Sequence, residues 1–255
     1  MSRALILLSL LGLYLCYHLS YWWNLKPDYS FGFLVPFFSI YVIYERLPAI
    51  LQKFSSGENL QSVHKKDSIF LYGLSIFFWL ALLGGCLNYL LGSIIISTTG
   101  PSQPGSLALA NGFAWIFISL IFLSSVRNRE GVAITLSNRI KLTLMFLFPA
   151  FIWLISAPLL TAIENQLSLY LLQRVTEVVL FCADLLGLDI LRRGNVLILP
   201  EGSVGVEEAC SGIRSLTACL FAGSFLGAVF LRKFWQKILL VILSMLFAFL
   251  ANLGR

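Results

Sequence analysis

Seven apolar stretches, separated by shorter polar segments, set the pattern of the chain. They cover residues 4–23, 31–45, 69–92, 106–125, 142–163, 211–231 and 238–254. Because an α-helix needs roughly 18–20 apolar residues to cross about 30 Å of hydrocarbon, we predict a transmembrane helix for each stretch. The second stretch is short and contains Pro36, so we expect it to be kinked, tilted or partly re-entrant. The predicted fold class is an all-α polytopic membrane protein.

The longest polar interruption is the segment 164–210. Residues 167–189 have the pattern of an amphipathic helix, with Arg174, Glu177 and Asp184 on one face. We expect this helix to lie in the membrane interface or over the bundle. Residues 194–208 contain repeated glycines and a proline, which predicts a short strand and turn. We therefore predict a single integral membrane domain, residues 1–255, in which 164–210 form a small cap.

Composition and charge support a membrane protein and give it an orientation. Hydrophobic residues make up 58% of the 255 residues and charged residues 12%, against about 25% charged in soluble domains. Twelve of the eighteen lysines and arginines fall in one set of alternating loops, namely Arg3, Arg46, Lys53, Lys65, Lys66, Arg127, Arg129, Arg139, Lys141, Arg232, Lys233 and Lys237. By the positive-inside rule these loops and the N-terminus are cytoplasmic, and 164–210 face outward from the inner (plasma) membrane.

The net charge of +6 does not indicate a nucleic-acid partner. Nucleic-acid-binding proteins cluster their basic residues on one surface, often with interleaved aromatic residues. Here the basic residues instead separate the apolar stretches. The first stretch lacks a small-residue cleavage site, so we expect it to be a retained helix and not a signal peptide.

The five cysteines predict neither a metal site nor a cofactor. They form no CxxC pair and no cluster with histidine, which argues against zinc. Cys16, Cys86 and Cys219 lie inside apolar stretches, where cysteine is usually a small buried hydrophobic residue. Cys182 lies in the predicted amphipathic helix, and we expect it to be inert. Cys210 differs, because it stands among charged residues at the start of an apolar stretch.

Cys210 is therefore the candidate nucleophile. If a helix begins near Glu208, Cys210 and Arg214 share one face at i and i+4. A helix N-terminus and a guanidinium both favour the thiolate form of cysteine. Glu207 and Glu208 act in the opposite direction, and they could instead hold Arg214 or Arg255 or bind a substrate.

Counting residues places Arg255 at the same level in the membrane as Arg214. We place the centre of the connection that joins the last two apolar stretches between Phe234 and Trp235. Arg214 and Arg255 are then equally far from it, and Cys210 lies about one turn further out. Arginines at membrane depth are costly enough to be functional candidates by default.

Four segments resemble motifs of the exosortase/archaeosortase family. "EEACSGIRSL" at 207–216 resembles the family's cysteine motif, and "NLGR" at 252–255 resembles its Asn-x-x-Arg. "PDYSFGFLVP" at 27–36 is similar to its early element, and "LGLDILRRGNVLILPEG" at 186–202 to the Gly-Asn strand before its cysteine. The resemblance covers most of the chain.

The resemblance implies a membrane-embedded cysteine peptidase and transpeptidase. Cys210 would be the nucleophile and Arg255 its catalytic partner, with Arg214, Glu207, Glu208 and Asn252 in supporting roles. The implied substrates are exported proteins whose C-terminal signal contains a short motif such as Pro-Glu-Pro, a hydrophobic helix and a basic cluster. Cleavage through a thioester would transfer them to a cell-envelope acceptor. The implied partners are these substrates and membrane lipids.

Two departures from the family pattern affect what we expect. Phe31 stands where the early element has histidine. The family also supplies a third active-site residue, His or Arg, on a later span, and nothing before Arg255 matches it. We therefore expect a full-length chain to contain an eighth span that carries this residue.

Two other functions fit the same residues. A transporter or channel for an anionic solute could line its path with Arg214 and Arg255. A non-catalytic assembly protein is the third possibility. Neither function requires a thiol at position 210, so replacement of Cys210 separates them from the enzyme.

Overall fold

The computed structural model describes residues 2–55, 65–126, 134–188, 190–194, 196–199, 202–205 and 212–253. Within them the helices are α1 Ser2–Leu25, a 3-10 helix Pro27–Leu34, α2 Val35–Ser55, α3 Lys65–Thr99, α4 Gln103–Ser124, α5 Leu136–Ser156, α6 Thr161–Leu185, α7 Ile213–Phe230 and α8 Phe234–Leu253. The strands are β1 Leu191–Arg193, β2 Val196–Leu199 and β3 Gly202–Gly205. The chain divides into two compact units, Met1–Pro158 and Leu159–Arg255. The prediction of a single domain stays a prediction.

Seven segments in these residues are long and apolar enough to cross a membrane. They are Ala4–Leu25, Pro27–Gln52, Phe70–Thr99, Gln103–Ser124, Leu136–Ser156, Ile213–Phe230 and Phe234–Leu253. The predicted all-α polytopic fold with seven spans is therefore confirmed. The second span is longer than expected, because the 3-10 helix leads directly into α2. Pro36 lies in the first turn of α2, where the missing N–H costs no helical hydrogen bond.

The fifth span differs most from its prediction of 142–163. Helix α5 ends at Ser156 because Pro158 restricts the preceding residue to an extended backbone, and Ala157 has ψ 142°. The chain then begins α6 at Thr161. Helix α5 also begins earlier, at Leu136, so Arg139 belongs to the helix and not to the loop in which the charge count placed it. Its guanidinium is buried and donates a 2.8 Å hydrogen bond to the carbonyl of Phe122, near the end of α4.

Glycines set the spacing of α3 and α4. A Cβ on Gly92 would lie 2.7 Å from the carbonyl oxygen of Gly105, and one on Gly112 would lie 2.7 Å from that of Gly85. The glycines are seven residues apart in each helix, so they recur on one face every two turns. Small residues let transmembrane backbones approach closely, and α3 and α4 form the most extensive helix pair of the first unit.

The segment 27–36 forms the corner between α1 and α2. Tyr29 is buried there. A Cβ on Gly32 would overlap the indole ring of Trp23, so this position has no room for a side chain. The indole N–H of Trp23 donates to the carbonyl of Ser156 at 3.0 Å, which ties the corner to α5.

A proline in α5 is compensated by side chains from α2. Pro149 has no N–H, so the carbonyl of Met145 loses its helical donor. The guanidinium of Arg46 donates to that carbonyl. The hydroxyl of Ser39 donates to the carbonyl of Pro149 at 3.0 Å. Arg46 therefore supplies the donor that the proline removes, and Ser39 adds a second hydrogen bond between α2 and α5.

The second unit begins with α6, which confirms the predicted amphipathic helix. Leu172 and Val175 are buried, whereas Arg174 and Glu177 form an exposed ion pair at 2.7 Å. Hydrogen bonds with the side chains of Tyr170 and Glu177 raise the pKa of the Arg174 guanidinium, and the bond with Tyr170 has the larger effect. Helix α6 is not among the seven candidate spans.

A small antiparallel sheet follows α6, in the order β1-β2-β3. The predicted strand and turn are present as β2 and β3, whereas β1 was not predicted because its sequence, Leu-Arg-Arg, has no alternating pattern. Gly194, at φ 64°, begins the two-residue connection between Arg193 and Val196, which are paired.

Candidate functional site

Helices α7 and α8 form an antiparallel hairpin with a fixed register. Residues 231–233 connect the two helices. A Cβ on Gly227 would lie 3.5 Å from the Cα of Lys237, and one on Gly223 would overlap the hydroxyl of Ser244. That hydroxyl also donates to the carbonyl of Cys219 at 3.1 Å. The helices are therefore in close contact at several levels.

The open end of this hairpin brings two of the quoted motifs together. Gly212, from the cysteine motif, is the N-cap of α7 and has φ 75°. A Cβ on Gly212 would lie 2.8 Å from the side-chain amide nitrogen of Asn252. Asn252 is the first residue of the Asn-x-x-Arg motif. Segments forty residues apart thus meet directly at the end of the hairpin opposite its connection.

The observed start of α7 corrects one expectation. The same-face argument for Cys210 and Arg214 required a helix that begins near Glu208, but the helix begins at Ile213. Gly212 is in the left-handed conformation, which a continuous right-handed helix cannot include. The i, i+4 argument therefore does not apply, and Cys210 precedes the cap.

The register corrects a second expectation. The connection is centred on Arg232, two to three residues before the predicted centre between Phe234 and Trp235. Gly212 is consequently level with Asn252, and Arg214 is level with the residues just before Asn252. The predicted centre of the connection was therefore too late in the chain. Arg255 lies outside the described residues, so its depth relative to Arg214 stays a prediction.

The structure describes two of the six candidate site residues. Arg214 is the second residue of α7 and is exposed, and Asn252 is half-buried near the end of α8. The hydroxyl of Thr217 donates to the carbonyl of Arg214 at 3.1 Å, one turn into the helix. Cys210, Glu207, Glu208 and Arg255 lie outside the described residues.

An apolar pocket adjoins Asn252 through its neighbour Leu253. Its volume is about 320 Å³. Its lining comes from the end of α6, the segment after it and α8, namely Val178, Val179, Cys182, Ala183, Leu186, Leu188, Ile190 and Leu253. Sequence reasoning missed this pocket, because the helical pattern of α6 does not show which residue of α8 will face it. The exposed thiol of Cys182 lines the pocket.

In the part of the chain that the structure describes, no group of three His, Cys, Asp or Glu side chains lies close enough to hold a metal ion. The described groups at the open end of the hairpin are the first N–H groups of α7, the amide of Asn252 and the guanidinium of Arg214.

Comparison with known proteins places the chain in one family. The family model for transmembrane exosortase matches residues 22–255, which include both the segment 27–36 and the α7–α8 hairpin. No curated protein and no solved structure matches the chain. The chain is therefore a multi-pass membrane protein that belongs to the transmembrane exosortase family.

Proposed function

We propose that the protein is a membrane-embedded cysteine transpeptidase that cleaves the C-terminal sorting signal of exported proteins. The observation that carries this proposal is the contact between Gly212 and Asn252. Cys210 is two residues before Gly212, and Arg255 is three residues after Asn252. The contact supports a common site for the thiol and the guanidinium.

The register of the hairpin supports the same pairing. Gly227 is level with Lys237 and Gly212 with Asn252, so the two helices advance at the same rate. If this register continues, positions 209–210 are level with 254–255. Arg255 would then accompany Cys210, and Arg214 would lie about one turn deeper.

The start of α7 supplies a setting for a thiolate. The first N–H groups of a helix have no intrahelical acceptor and carry partial positive charge. Ile213, Arg214 and Ser215 contribute these groups, directly after the left-handed Gly212. A cysteine beside such groups has a lowered pKa and is more nucleophilic at neutral pH.

In the proposed reaction the Cys210 thiolate attacks the scissile carbonyl of the substrate. Arg255, with Arg214 and the N–H groups of α7, stabilises the tetrahedral oxyanion, an effect typically worth about 3–4 kcal/mol per donor. The C–N bond then breaks, and the leaving amine takes a proton from water, because arginine is too weak an acid to supply it. An acceptor amine or hydroxyl, or water, releases the product from the thioester.

We also propose how the enzyme is oriented and how it receives its substrate. The loops that hold most of the lysines and arginines face the cytoplasm, and the site, α6 and the sheet face outward from the inner membrane. The hydrophobic helix of the sorting signal enters the bilayer beside the enzyme. Its first apolar side chains occupy the pocket beside Leu253, which places the motif near Cys210.

The decisive experiment follows the maturation of an exported reporter in cells that also contain the protein. The reporter ends in a Pro-Glu-Pro motif, a hydrophobic helix and a basic cluster. We expect Cys210→Ala and Arg255→Ala to abolish cleavage. Cys219→Ala is the matched control, because Cys219 is on the same helix hairpin but about two helical turns from Gly212. Hydroxylamine should release a reporter hydroxamate from the thioester of the wild-type enzyme.

Continued maturation by the Cys210→Ala protein would reject the proposal. An anion transporter with Arg214 and Arg255 in its path would keep its flux after Cys210→Ala and lose it after either arginine is replaced. An assembly protein would tolerate all three changes. The three functions therefore give three different patterns with the same variants.

A further inference from the structure

The connection between α7 and α8 carries positive charge that the proposed reaction does not use. Arg232 and Lys233 lie in this connection, and Lys237 follows in the first turn of α8. From residue 209 to residue 255 the sequence contains no aspartate and no glutamate. The hairpin therefore has no carboxylate of its own that could balance these charges.

The two cations of the connection are accessible. The side chains of Arg232 and Lys233 are both exposed. Within the described part of the chain, neither side chain takes part in an ion pair or a hydrogen bond. An anion from outside the protein can therefore approach both of them.

Large aromatic side chains adjoin these charges on both sides. Phe230 ends α7, and Phe234 and Trp235 begin α8. Their exposed fractions are 73%, 72% and 59%. Aromatic residues at the ends of membrane spans lie at the boundary between hydrocarbon and headgroups, and basic side chains beside them extend their charged ends among the headgroups. We call residues 230–237 the basic tip.

The position of the basic tip in a bilayer follows from the two helices that it joins. Both α7 and α8 are long and apolar enough to cross the hydrocarbon. Only three residues connect them, so the connection lies at one membrane surface. The phosphate groups of phospholipids lie at the same level. This position is the same for either orientation of the protein.

We propose that the basic tip binds the phosphate groups of anionic phospholipids. The planar guanidinium of Arg232 can donate two parallel hydrogen bonds to a phosphate, and Lys233 adds a compact positive charge. Each basic side chain near an anionic surface strengthens the attraction by about fivefold. A zwitterionic lipid carries its own cation, which offsets this attraction, so phosphatidylglycerol is favoured over phosphatidylcholine. The interaction is independent of Cys210 and of the proposed reaction.

The test measures which phospholipid stays with the purified protein. The protein is reconstituted in bilayers that contain equal amounts of phosphatidylglycerol and phosphatidylcholine with the same acyl chains. It is then purified in detergent, and mass spectrometry quantifies the retained lipids. We expect retained phosphatidylglycerol to exceed phosphatidylcholine by about fivefold or more. Equal retention of the two lipids, or no retained lipid, would overturn the proposal.

A matched pair of double variants locates the lipid. Arg232→Gln/Lys233→Gln removes two charges from the basic tip and should reduce the ratio of the two lipids to near one. Arg174→Gln/Arg192→Gln removes two exposed charges from α6 and β1 of the same unit and should leave the ratio unchanged. An unchanged ratio in the first variant, or an equal fall in both, would reject the basic tip as the site.

Two further measurements complete the test. If the double variant of the basic tip does not fold, Arg232→Gln and Lys233→Gln should each lower the ratio alone, and an unchanged ratio in both would reject the site. Millimolar glycerol 3-phosphate should not release the retained phosphatidylglycerol, because it lacks the acyl chains that lie beside the aromatic side chains. Its release would show that the basic tip binds a soluble phosphate ester and not a lipid.

Discussion

Gly212 combines two constraints that no other residue type satisfies. Its φ of 75° is in the left-handed region, and its Cβ position is 2.8 Å from the side chain of Asn252. The left-handed conformation makes Gly212 the N-cap, and α7 begins at the next residue, Ile213. The second lets two motifs meet at the open end of the hairpin. The glycine of the cysteine motif therefore has a structural reason for its identity.

We predict that Gly212→Ala reduces reporter cleavage by about 10- to 100-fold, because a displacement near 1 Å at a reacting group has that effect. The left-handed backbone alone costs an alanine roughly 1–2 kcal/mol. Cleavage assays and the thermal unfolding midpoint in detergent measure the two effects. Gly84→Ala is the control, since its Cβ meets no atom within 4 Å and lies in the helical interior of α3. Wild-type cleavage by Gly212→Ala would contradict this account.

Arg46 and Pro149 form a second pair whose coupling can be measured. The guanidinium replaces the N–H donor that proline removes from the carbonyl of Met145. We predict that Arg46→Met destabilises the wild-type protein more than it destabilises the Pro149→Ala protein. The alanine restores the helical donor, so the coupling free energy should be about 1–2 kcal/mol. Thermal unfolding of the four proteins completes the cycle, and additive effects would show that the two residues do not compensate each other.

Helices α3 and α4 depend on glycines at their contact face. Gly85 and Gly84 are neighbours in α3 but have opposite surroundings. A Cβ on Gly85 would lie 3.0 Å from the backbone nitrogen of Ile116, whereas one on Gly84 meets nothing. The same substitution at the two positions therefore separates helix packing from helix propensity.

We predict that Gly85→Leu destabilises the protein by about 1–3 kcal/mol through overpacking, and that Gly84→Leu has little effect. Both leucines favour helix over glycine equally, so propensity cancels in the comparison. The detergent unfolding midpoint and the yield of monodisperse protein provide the measurement. Equal effects of the two variants would mean that α3 and α4 do not pack on this face.

Sequence periodicity identified elements better than it identified their ends. The seven spans follow from apolar length, because an α-helix of that length crosses the hydrocarbon and satisfies its backbone groups within one segment. The break at Ala157–Pro158 was missed because the apolar residues continue through it. Strand β1 was missed because three residues carry too little pattern, and its pairing with β2 comes from the tertiary structure.

The contact between the two motifs was predictable from the sequence, but its geometry was not. The motifs at 207–216 and 252–255 and a count along two spans predicted a common location, and Gly212 and Asn252 of these motifs are in contact. The roles of Cys210 and Arg255 stay predictions. Counting cannot locate a turn within two or three residues, since Phe234 and Trp235 are as apolar as the helices they were thought to separate. The left-handed Gly212 depends on backbone conformation that spacing does not reveal.

The whole molecule has an orientation that its charges predict. A cysteine-free protein can carry a single new cysteine at the exposed Pro101, between α3 and α4, or at the exposed Lys233, between α7 and α8. We predict that a membrane-impermeant maleimide labels Pro101→Cys in intact cells and labels Lys233→Cys only after the membrane is opened. The reverse labelling pattern would show that the protein has the opposite orientation, with the proposed site on the cytoplasmic side.

The three-residue connection between α7 and α8 determines how this hairpin responds to a change in bilayer thickness. The two helices have 18 and 20 residues, or about 27 and 30 Å at 1.5 Å per residue. When bilayer thickness changes, helices compensate for hydrophobic mismatch by leaning. Since close contacts at Gly227, Gly223 and Gly212 fix their register, α7 and α8 must lean as one body. Thicker or thinner membranes would then change the immersion of Gly212 and Asn252 but not the gap between them.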